Sequence, residues 1–159
     1  MVFNIFKKAK VEILAPVDGQ IVALDEVPDP VFSQRMMGEG VAVVPSKGNI
    51  HAPVDGTVIL VAATKHAIGI RAKDGTEILI HVGLETVALN GEGFSLAVSE
   101  GDRVTAGQVL MGVDWEYIRT RAKSAVTPIV ITNNQNNKKQ VTITKEKDCI
   151  QGKTVIITA

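Results

Sequence analysis

Short β-rich segments separated by glycine and proline run through the whole chain and limit its possible folds. The segments are rich in Val, Ile and Thr and are bounded by turn residues, as in VEILAP, GVAVVP, GTVILVAAT, AIGIRA, TEILIHV, PIVIT and TVIIT. One stretch favours a helix, from Trp115 to about Ser124, because Asp114 can cap its first turn and Pro128 lies beyond its end. We therefore expect an all-β fold, an antiparallel β-sandwich or compressed barrel with one or two short helices.

One segment of the chain occurs twice, and a second segment has a loose echo. The pentapeptide APVDG at 15–19 recurs at 52–56, and GDRVTAGQVLM at 101–111 is echoed by KDCIQGKTVII at 147–157. In each APVDG copy we expect the proline to preset φ and the glycine to supply a positive-φ position, which would favour a tight entry into the next strand. The repeats predict an internal duplication of the fold, and we expect them to fix the architecture without carrying chemistry.

The composition excludes several classes of protein. Seventeen acidic and seventeen basic residues leave no net charge, which argues against nucleic-acid binding through neutralised phosphates. The single cysteine, Cys149, excludes an intramolecular disulfide and fits a reducing compartment. No apolar stretch has the length of a secretion signal or a membrane span. We expect a cytosolic protein of one domain that does not insert stably into a membrane.

Two histidines lie on neighbouring strand-like segments joined by the turn KDG: His66 in TKHAIGIRA and His81 in TEILIHV. If Asp74 and Gly75 form a two-residue type I′ turn, as this dipeptide favours, His66 comes to lie opposite Gly83. Both imidazoles then project from one face as diagonal neighbours, with Cβ atoms less than about 7–8 Å apart. A three-residue loop would instead shift the register by one residue and place the rings on opposite faces.

The histidine pair has the chemistry of a functional site. Imidazole can act as a nucleophile toward phosphorus, as a general base or as a metal ligand. For phosphoryl transfer, the nucleophile needs an acceptor on its second nitrogen and a neighbouring donor for the phosphoryl oxygens. The alternation of the strands adds Thr64 and Glu85 to the predicted face, and a hydrogen bond from Thr64 can orient His66.

Four longer segments carry a resemblance to a known family. They are EVPDPVFSQRMMGEG at 26–40, HAPVDGTV at 51–58, TKHAIGI at 64–70 and LIHVGLETVALNGEGF at 79–94. Together they resemble the signature segments of the glucose-type enzyme IIA of the bacterial phosphoenolpyruvate-dependent sugar phosphotransferase system. The resemblance extends from about residue 11 to residue 159, which implies an N-terminal tail over 1–10 and a phosphocarrier domain over 11–159. Ala63, just before TKH, departs from the family pattern without touching the chemistry.

The resemblance implies a role for each residue of the pair and its surroundings. His81 would accept a phosphoryl group on Nε2 from phosphorylated HPr and pass it to a cysteine of a sugar-specific IIB domain. His66 would bind the phosphoryl oxygens, with Thr64 as its orienting partner, and the backbone carbonyl of Gly83 would hold Nδ1 of His81. No cofactor and no metal is needed, because the protein has only to align donor and acceptor and stabilise the oxygens.

The same resemblance places a docking surface beside the histidines. Methionines suit a surface that meets unlike partners because their thioethers are flexible, and acidic rim residues speed and orient encounter. The apolar members expected on this surface are Val31, Phe32, Met36 and Met37, and the acidic ones are Asp29 and Glu85. The family also implies regulatory binding of the unphosphorylated protein to transporters or enzymes.

Other readings of the sequence remain. His66 and His81 can bind zinc if a partner, or Glu85, completes the ligand set, which would make the chain a zinc-binding regulatory protein. The GDRVTAGQVL pattern also suggests a biotinyl or lipoyl carrier, but that class needs a lysine at an exposed hairpin tip, and none is seen. His51 lies just before a proline-containing turn and is expected to be structural or exposed. Residues 1–10 are expected to be a disordered tail, with weak contact to an anionic membrane as the alternative.

Overall fold

The computed structural model describes residues 10–134 and 138–159. Strands and helices in these ranges are short, as the spacing of glycine and proline predicts. The strands are β1 (Glu12–Leu14), β2 (Asp18–Ala23), β3 (Glu39–Lys47), β4 (Ile50–His51), β5 (Gly56–Val61), β6 (Ala67–Ala72), β7 (Glu77–His81), β8 (Phe94–Leu96), β9 (Arg103–Val104), β10 (Val109–Val113), β11 (Thr127–Ile131), β12 (Thr142–Ile143), β13 (Asp148–Cys149) and β14 (Val155–Thr158). The α-helices are α1 (Pro30–Ser33) and α2 (Trp115–Arg121), and 3₁₀ turns cover Leu24–Glu26 and Thr86–Leu89.

The strands of the described ranges form three antiparallel sheets around a main apolar core. The largest has the order β13-β2-β3-β11-β7-β6-β5-β9, and two three-stranded sheets have the orders β1-β14-β12 and β4-β10-β8. Buried side chains from all three sheets meet in the main core, among them Ile13, Ile50, Ile80 and Leu110. Because Val, Ile and Leu on facing sheets exclude water from both sides, this packing is the principal source of stability. The expected all-β sandwich is confirmed.

The duplication predicted from the repeats is visible in matching backbone contacts. The positive φ expected at the glycine of each APVDG copy is wrong, because neither Gly19 nor Gly56 adopts one. The second segment of each copy returns to the strand that its APVDG segment begins, so that β13 pairs with β2 and β9 pairs with β5. These pairs form the two ends of the largest sheet. The equivalent hydrogen bonds are Gly152 N to Ala15 O (3.1 Å) and Gly107 N to Ala52 O (2.8 Å), and Gln151 N to Asp18 Oδ1 (2.8 Å) and Ala106 N to Asp55 Oδ1 (2.8 Å).

Strand β7 places its last residue, His81, outside the main core. Ile78 and Ile80 point into the main core, whereas Leu79 belongs to a second apolar cluster on the opposite face of the sheet. Since side chains alternate along a strand, His81 follows Leu79 onto that opposite face. Ala67, which pairs directly with His81, is also part of the second cluster. The side chain of His81 therefore lies on the same face of the sheet as the second apolar cluster.

The prediction of a two-residue turn between β6 and β7 is wrong. Ala67 pairs with His81, and Ala72 and Thr76 close a loop of three residues, 73–75, through the bonds Ala72 N to Thr76 O and Gly75 N to Ala72 O. Gly75 has φ +96°, and the Asp74 side chain accepts a hydrogen bond from Thr76 N at 3.0 Å. A three-residue hairpin that ends in a left-handed glycine is the next most common solution, and here the aspartate side chain supports it.

The predicted helix has the expected start and an earlier end. Asp114 Oδ1 accepts a hydrogen bond from Tyr117 N at 3.1 Å, which is the cap that the sequence indicates. Helix α2 ends at Arg121, short of Ser124, because the chain becomes extended at Ala122 and Ser124 then pairs with Leu84. The helices in the described ranges are too short or too polar to span a bilayer. The tail expected at 1–10 lies outside the described residues apart from Lys10.

Candidate functional site

The structure brings the two predicted histidines together. The ring centroids of His66 and His81 are 4.9 Å apart, and the rings meet edge to face at 77°. Both line a surface pocket of about 280 Å³. Most of the residues proposed from the sequence line it too, and the complete set is Asp29, Val31, Phe32, Met37, His66, His81, Glu85, Thr86 and Val87.

His66 reaches this pocket by a route that differs from the predicted one. With the observed register, strict alternation would place its side chain on the face opposite His81. However, β6 begins only at Ala67, and His66 belongs to the preceding loop, closed by Ala62 N to Ala67 O at 3.0 Å. Lys65 has φ +64°, which turns the chain sharply just before His66. Because His66 lies outside the regular strand, its ring is free to join His81.

Each imidazole is held through its Nδ1 atom by a neighbouring group. His81 Nδ1 lies 2.8 Å from the carbonyl oxygen of Gly83, and His66 Nδ1 lies 2.7 Å from Thr64 Oγ1. A carbonyl oxygen can only accept, so His81 carries its proton on Nδ1 when the ring is neutral. Nε2 of His81 is then the nitrogen with a free lone pair, which is the form needed for nucleophilic attack.

The Gly83 carbonyl is placed by a backbone conformation that requires glycine. Gly83 has φ +76°, and a Cβ atom at this position would lie 2.6 Å from Thr86 Cγ2 and 2.9 Å from the Ser124 carbonyl oxygen. The following residue, Leu84, donates its N–H to that same Ser124 oxygen at 2.9 Å. Any side chain at residue 83 would therefore be strained in its backbone and would collide with its neighbours.

The environment of the pair favours uncharged rings. Burial lowers the pKa of His81 below its ordinary value of 6.5, the neighbouring His66 lowers it further, and the Gly83 carbonyl opposes both effects. Burial is also the largest cause that lowers the pKa of His66. Both histidines are consequently neutral at neutral pH, and a neutral His81 is a competent nucleophile.

The segment around α1 forms one wall of the pocket. Phe32 is buried, with its ring centroid 5.0 Å from that of His81. Asp29 caps the helix by accepting a hydrogen bond from Val31 N at 3.0 Å, a structural contact that was not predicted from the sequence. Val31 and Met37 line the pocket, while Met36, 68% exposed, lines a separate depression with Arg35 and Glu39.

Some residues of the site were not found from the sequence. Val87, 57% exposed, lines the pocket, and an apolar residue beside Glu85 was the available signal for it. Lys65, directly before His66 in the chain, and Glu85, shortly after His81, adopt left-handed backbone conformations with φ +64° and +59°. Such strain at non-glycine residues is often concentrated at functional sites. Thr86 is fully buried beneath Gly83, and its sequence context gave no indication of this.

The zinc alternative depends on ligands from elsewhere. Over 10–134 and 138–159, no three or more His, Cys, Asp or Glu side chains are grouped so that they could hold a metal ion. A zinc ion on His66 and His81 would therefore need a partner to complete its coordination. Cys149 does not line the histidine pocket; it is buried, and burial raises the pKa of its thiol to about 11. His51 bonds through Nδ1 to Gly107 O at 2.9 Å.

Known proteins are similar to this chain in sequence and in fold. A Bacillus cereus protein named PTS system glucose-specific EIIA component is 60% identical over 121 residues, which cover 76% of this chain and 73% of that protein. A Staphylococcus saprophyticus PTS system glucose-specific EIICBA component is 50% identical over 147 residues, covering 92% of this chain and 21% of that protein. The solved structure of glucose permease IIA from Mycoplasma capricolum has a TM-score of 0.87 and 39% identity, covering 95% of this chain and 96% of that one.

The family model described as phosphoenolpyruvate-dependent sugar phosphotransferase system, EIIA 1, matches residues 11–137. This range contains both histidines and every residue that lines the pocket around them. The chain therefore belongs to the EIIA family of phosphotransferase components of the phosphoenolpyruvate-dependent sugar phosphotransferase system.

Proposed function

We propose that this chain is a cytoplasmic phosphoryl carrier for glucose uptake. It accepts a phosphoryl group from phosphorylated HPr on Nε2 of His81 and passes that group to the cysteine of a IIB domain. The observation that carries the proposal is the 2.8 Å contact between His81 Nδ1 and the Gly83 carbonyl, beside His66 in an open pocket. The names of the Bacillus and Mycoplasma relatives support glucose as the sugar served.

The first step uses the lone pair of His81. As Nε2 forms its bond to phosphorus, the bond between phosphorus and the donor imidazole breaks, and the donor ring leaves with that electron pair. The His81 ring keeps its Nδ1 proton and becomes positively charged, so the Gly83 carbonyl stabilises the product more strongly than the free ring. Because no other bond changes, alignment and electrostatics supply the catalysis.

His66 serves the oxygens of the transferred group. If Thr64 Oγ1 donates to His66 Nδ1 across their 2.7 Å contact, the His66 proton resides on Nε2. That N–H is then available as a donor to a phosphoryl oxygen bound to the neighbouring His81 ring, 4.9 Å away between centroids. The arrangement gives the second histidine a positioning and stabilising role, with Thr64 fixing its tautomer.

The surface around the histidines is the proposed docking site for both protein partners. Val31, Met37 and Val87 supply an exposed or half-exposed apolar rim, and Asp29 and Glu85 add negative charge to it. Acidic side chains at such a rim accelerate the approach of a basic partner. The Staphylococcus EIICBA relative contains its matching segment within a longer protein, which supports a close working association with B and C components. Regulatory partners of the unphosphorylated form would use the same face.

A phosphotransfer assay tests the proposal. With phosphoenolpyruvate, enzyme I and HPr, the wild-type chain should gain one acid-labile phosphate. His81→Ala should gain none, because no other nitrogen in the pocket has the same environment. His66→Gln should accept phosphate but pass it slowly to a IIB domain, since the second donor is lost.

The third histidine provides a matched control. His51 bonds to Gly107 O, and it does not line the pocket, so His51→Gln should accept and donate phosphate like the wild type. Retained phosphorylation of His81→Ala would exclude His81 as the acceptor. Equal loss in the His51 and His81 variants would show that the assay reports folding and not chemistry.

A further inference from the structure

Thr86 is a fully buried polar residue that the phosphoryl-transfer scheme above does not use. It is 0% exposed and begins the 3₁₀ turn Thr86–Leu89, directly after the Gly83 region. Its hydroxyl donates a hydrogen bond to the carbonyl oxygen of Val82 at 2.7 Å. A buried hydroxyl is costly unless it is paired, so this contact is a stable part of the structure.

The contact of Thr86 fixes the first of the two peptide groups that flank Gly83. The Val82 carbonyl belongs to the peptide that joins residues 82 and 83, and Thr86 Oγ1 holds this oxygen. The methyl group of Thr86 lies under Gly83, where a Cβ would be only 2.6 Å from Thr86 Cγ2. The hydroxyl and the methyl group of Thr86 therefore both limit rotation of the backbone on the N-terminal side of Gly83.

The second peptide group is fixed by the bridge to Ser124. The Leu84 N–H and the Gly83 carbonyl belong to one planar trans peptide, so they point in opposite directions. Because Leu84 N donates to Ser124 O at 2.9 Å, the Gly83 oxygen is turned away from Ser124 and toward His81 Nδ1, 2.8 Å distant. With both peptides fixed, the carbonyl has one orientation.

We propose that Thr86 is a positioning residue for the phosphoryl acceptor: its hydroxyl, acting through the Val82 carbonyl, keeps the Gly83 carbonyl on Nδ1 of His81. The consequence is chemical. While that carbonyl accepts from Nδ1, the proton of the neutral ring is held there and the lone pair remains on Nε2. When the carbonyl is released, the proton can occupy Nε2 and block attack on phosphorus. This inference rests on the proposed role of His81 as the acceptor.

A pair of substitutions separates the hydroxyl from the shape of the side chain. Thr86→Val keeps the branched shape and removes the donor, whereas Thr86→Ser keeps the donor. In Thr86→Val the ¹⁵N resonances of His81 should show a mixture of tautomers. The pKa of His81 should also fall further, because the hydrogen bond from the charged ring to the Gly83 carbonyl is weakened. Phosphoryl transfer should slow about tenfold, the effect of losing one net hydrogen bond. Thr86→Ser should restore the wild-type tautomer.

A buried threonine elsewhere controls for the general effect of removing a hydroxyl. Thr127 is also 0% exposed and donates to the Ala125 carbonyl at 3.0 Å. Thr127→Val should lower stability without changing the His81 resonances. If Thr86→Val does not fold, the comparison of Thr86→Ala with Thr86→Ser tests the same hydroxyl.

The tautomer measurement needs no partner protein, so it is independent of the proposed function. An unchanged His81 tautomer in a folded variant that lacks the hydroxyl would overturn the role of Thr86, even if transfer slowed. A changed tautomer that Thr86→Ser does not restore would also overturn it. If the wild-type chain accepts no phosphate while the tautomer responds as expected, the phosphocarrier function fails, and what stands is the control of the His81 tautomer by the Thr86 hydroxyl.

Discussion

Replacement of Gly83 by alanine tests the backbone geometry on which the site depends. The added methyl group meets two obstacles in the native structure, a left-handed φ of +76° and close approaches of 2.6 Å to Thr86 Cγ2 and 2.9 Å to Ser124 O. The second obstacle includes a backbone atom, which cannot move aside as the end of a flexible side chain can.

The expected loss of stability follows from these two obstacles. A residue with a Cβ in the left-handed region costs about 1–2 kcal/mol, and an extra methyl group in a packed site costs about 1–3 kcal/mol more. Gly83→Ala should therefore lower the free energy of unfolding by about 2–5 kcal/mol. Gly152 is the matched control, because its φ is +71° and nothing lies within 4 Å of its added Cβ. Gly152→Ala should cost about 1–2 kcal/mol, from the backbone alone.

Urea denaturation, monitored by tryptophan fluorescence, measures the difference in stability between the two variants. Trp115 is the single tryptophan, and it is 7% exposed, so its emission reports the loss of the core. A gap of about 1–3 kcal/mol between the variants corresponds to midpoints about 1 M apart for a protein of this size. Equal midpoints for Gly83→Ala and Gly152→Ala would refute the steric argument. Full phosphate acceptance by folded Gly83→Ala would show that the carbonyl position does not matter.

Three further predictions concern pH, capping and the thiol. Because burial lowers the pKa of His66 and of His81, the unfolded chain binds more protons than the folded one below about pH 6.5, so stability should fall as the pH drops below that value. Urea titrations at several pH values should show a smaller dependence of stability on pH when both histidines are replaced by glutamine. An unchanged pH dependence in that variant would contradict the prediction. Asp114→Ala should cost about 1 kcal/mol in thermal unfolding because Tyr117 N loses its acceptor, while Asp114→Asn should cost less. Cys149, whose pKa burial raises to about 11, should react with a thiol reagent only after unfolding, and rapid labelling of native protein would exclude its burial.

Local signals in the sequence predicted the elements of the fold. The all-β class followed from short Val- and Ile-rich runs, and the duplication followed from the repeated APVDG segments. The start of α2 was predicted correctly because capping involves Asp114 and a backbone group three residues away. Each of these features depends on residues that are close together in the chain, so the sequence contains the information directly.

The pairing of the histidines was predicted correctly, but the register used to derive it was wrong. The Asp-Gly dipeptide is compatible with two-residue and three-residue loops, and in the observed three-residue loop Thr76 N donates a hydrogen bond to the Asp74 side chain. The observed register alone would separate the rings, and His66 joins His81 because Lys65 is left-handed and β6 begins only after His66, at Ala67. Strand periodicity does not apply to a residue in a loop.

The amino-acid sequence by itself determined the strands, the duplication and which two histidines form the candidate site. The tertiary structure decided how those imidazoles are held. The contact that fixes the peptide between Gly83 and Leu84 comes from Ser124, which follows α2 and is distant from Gly83 in the chain. The burial that keeps His81 neutral comes from Phe32 and the second apolar cluster on the outer face of the sheet. Orientation and burial depend on groups that only folding brings together, so no local pattern records them.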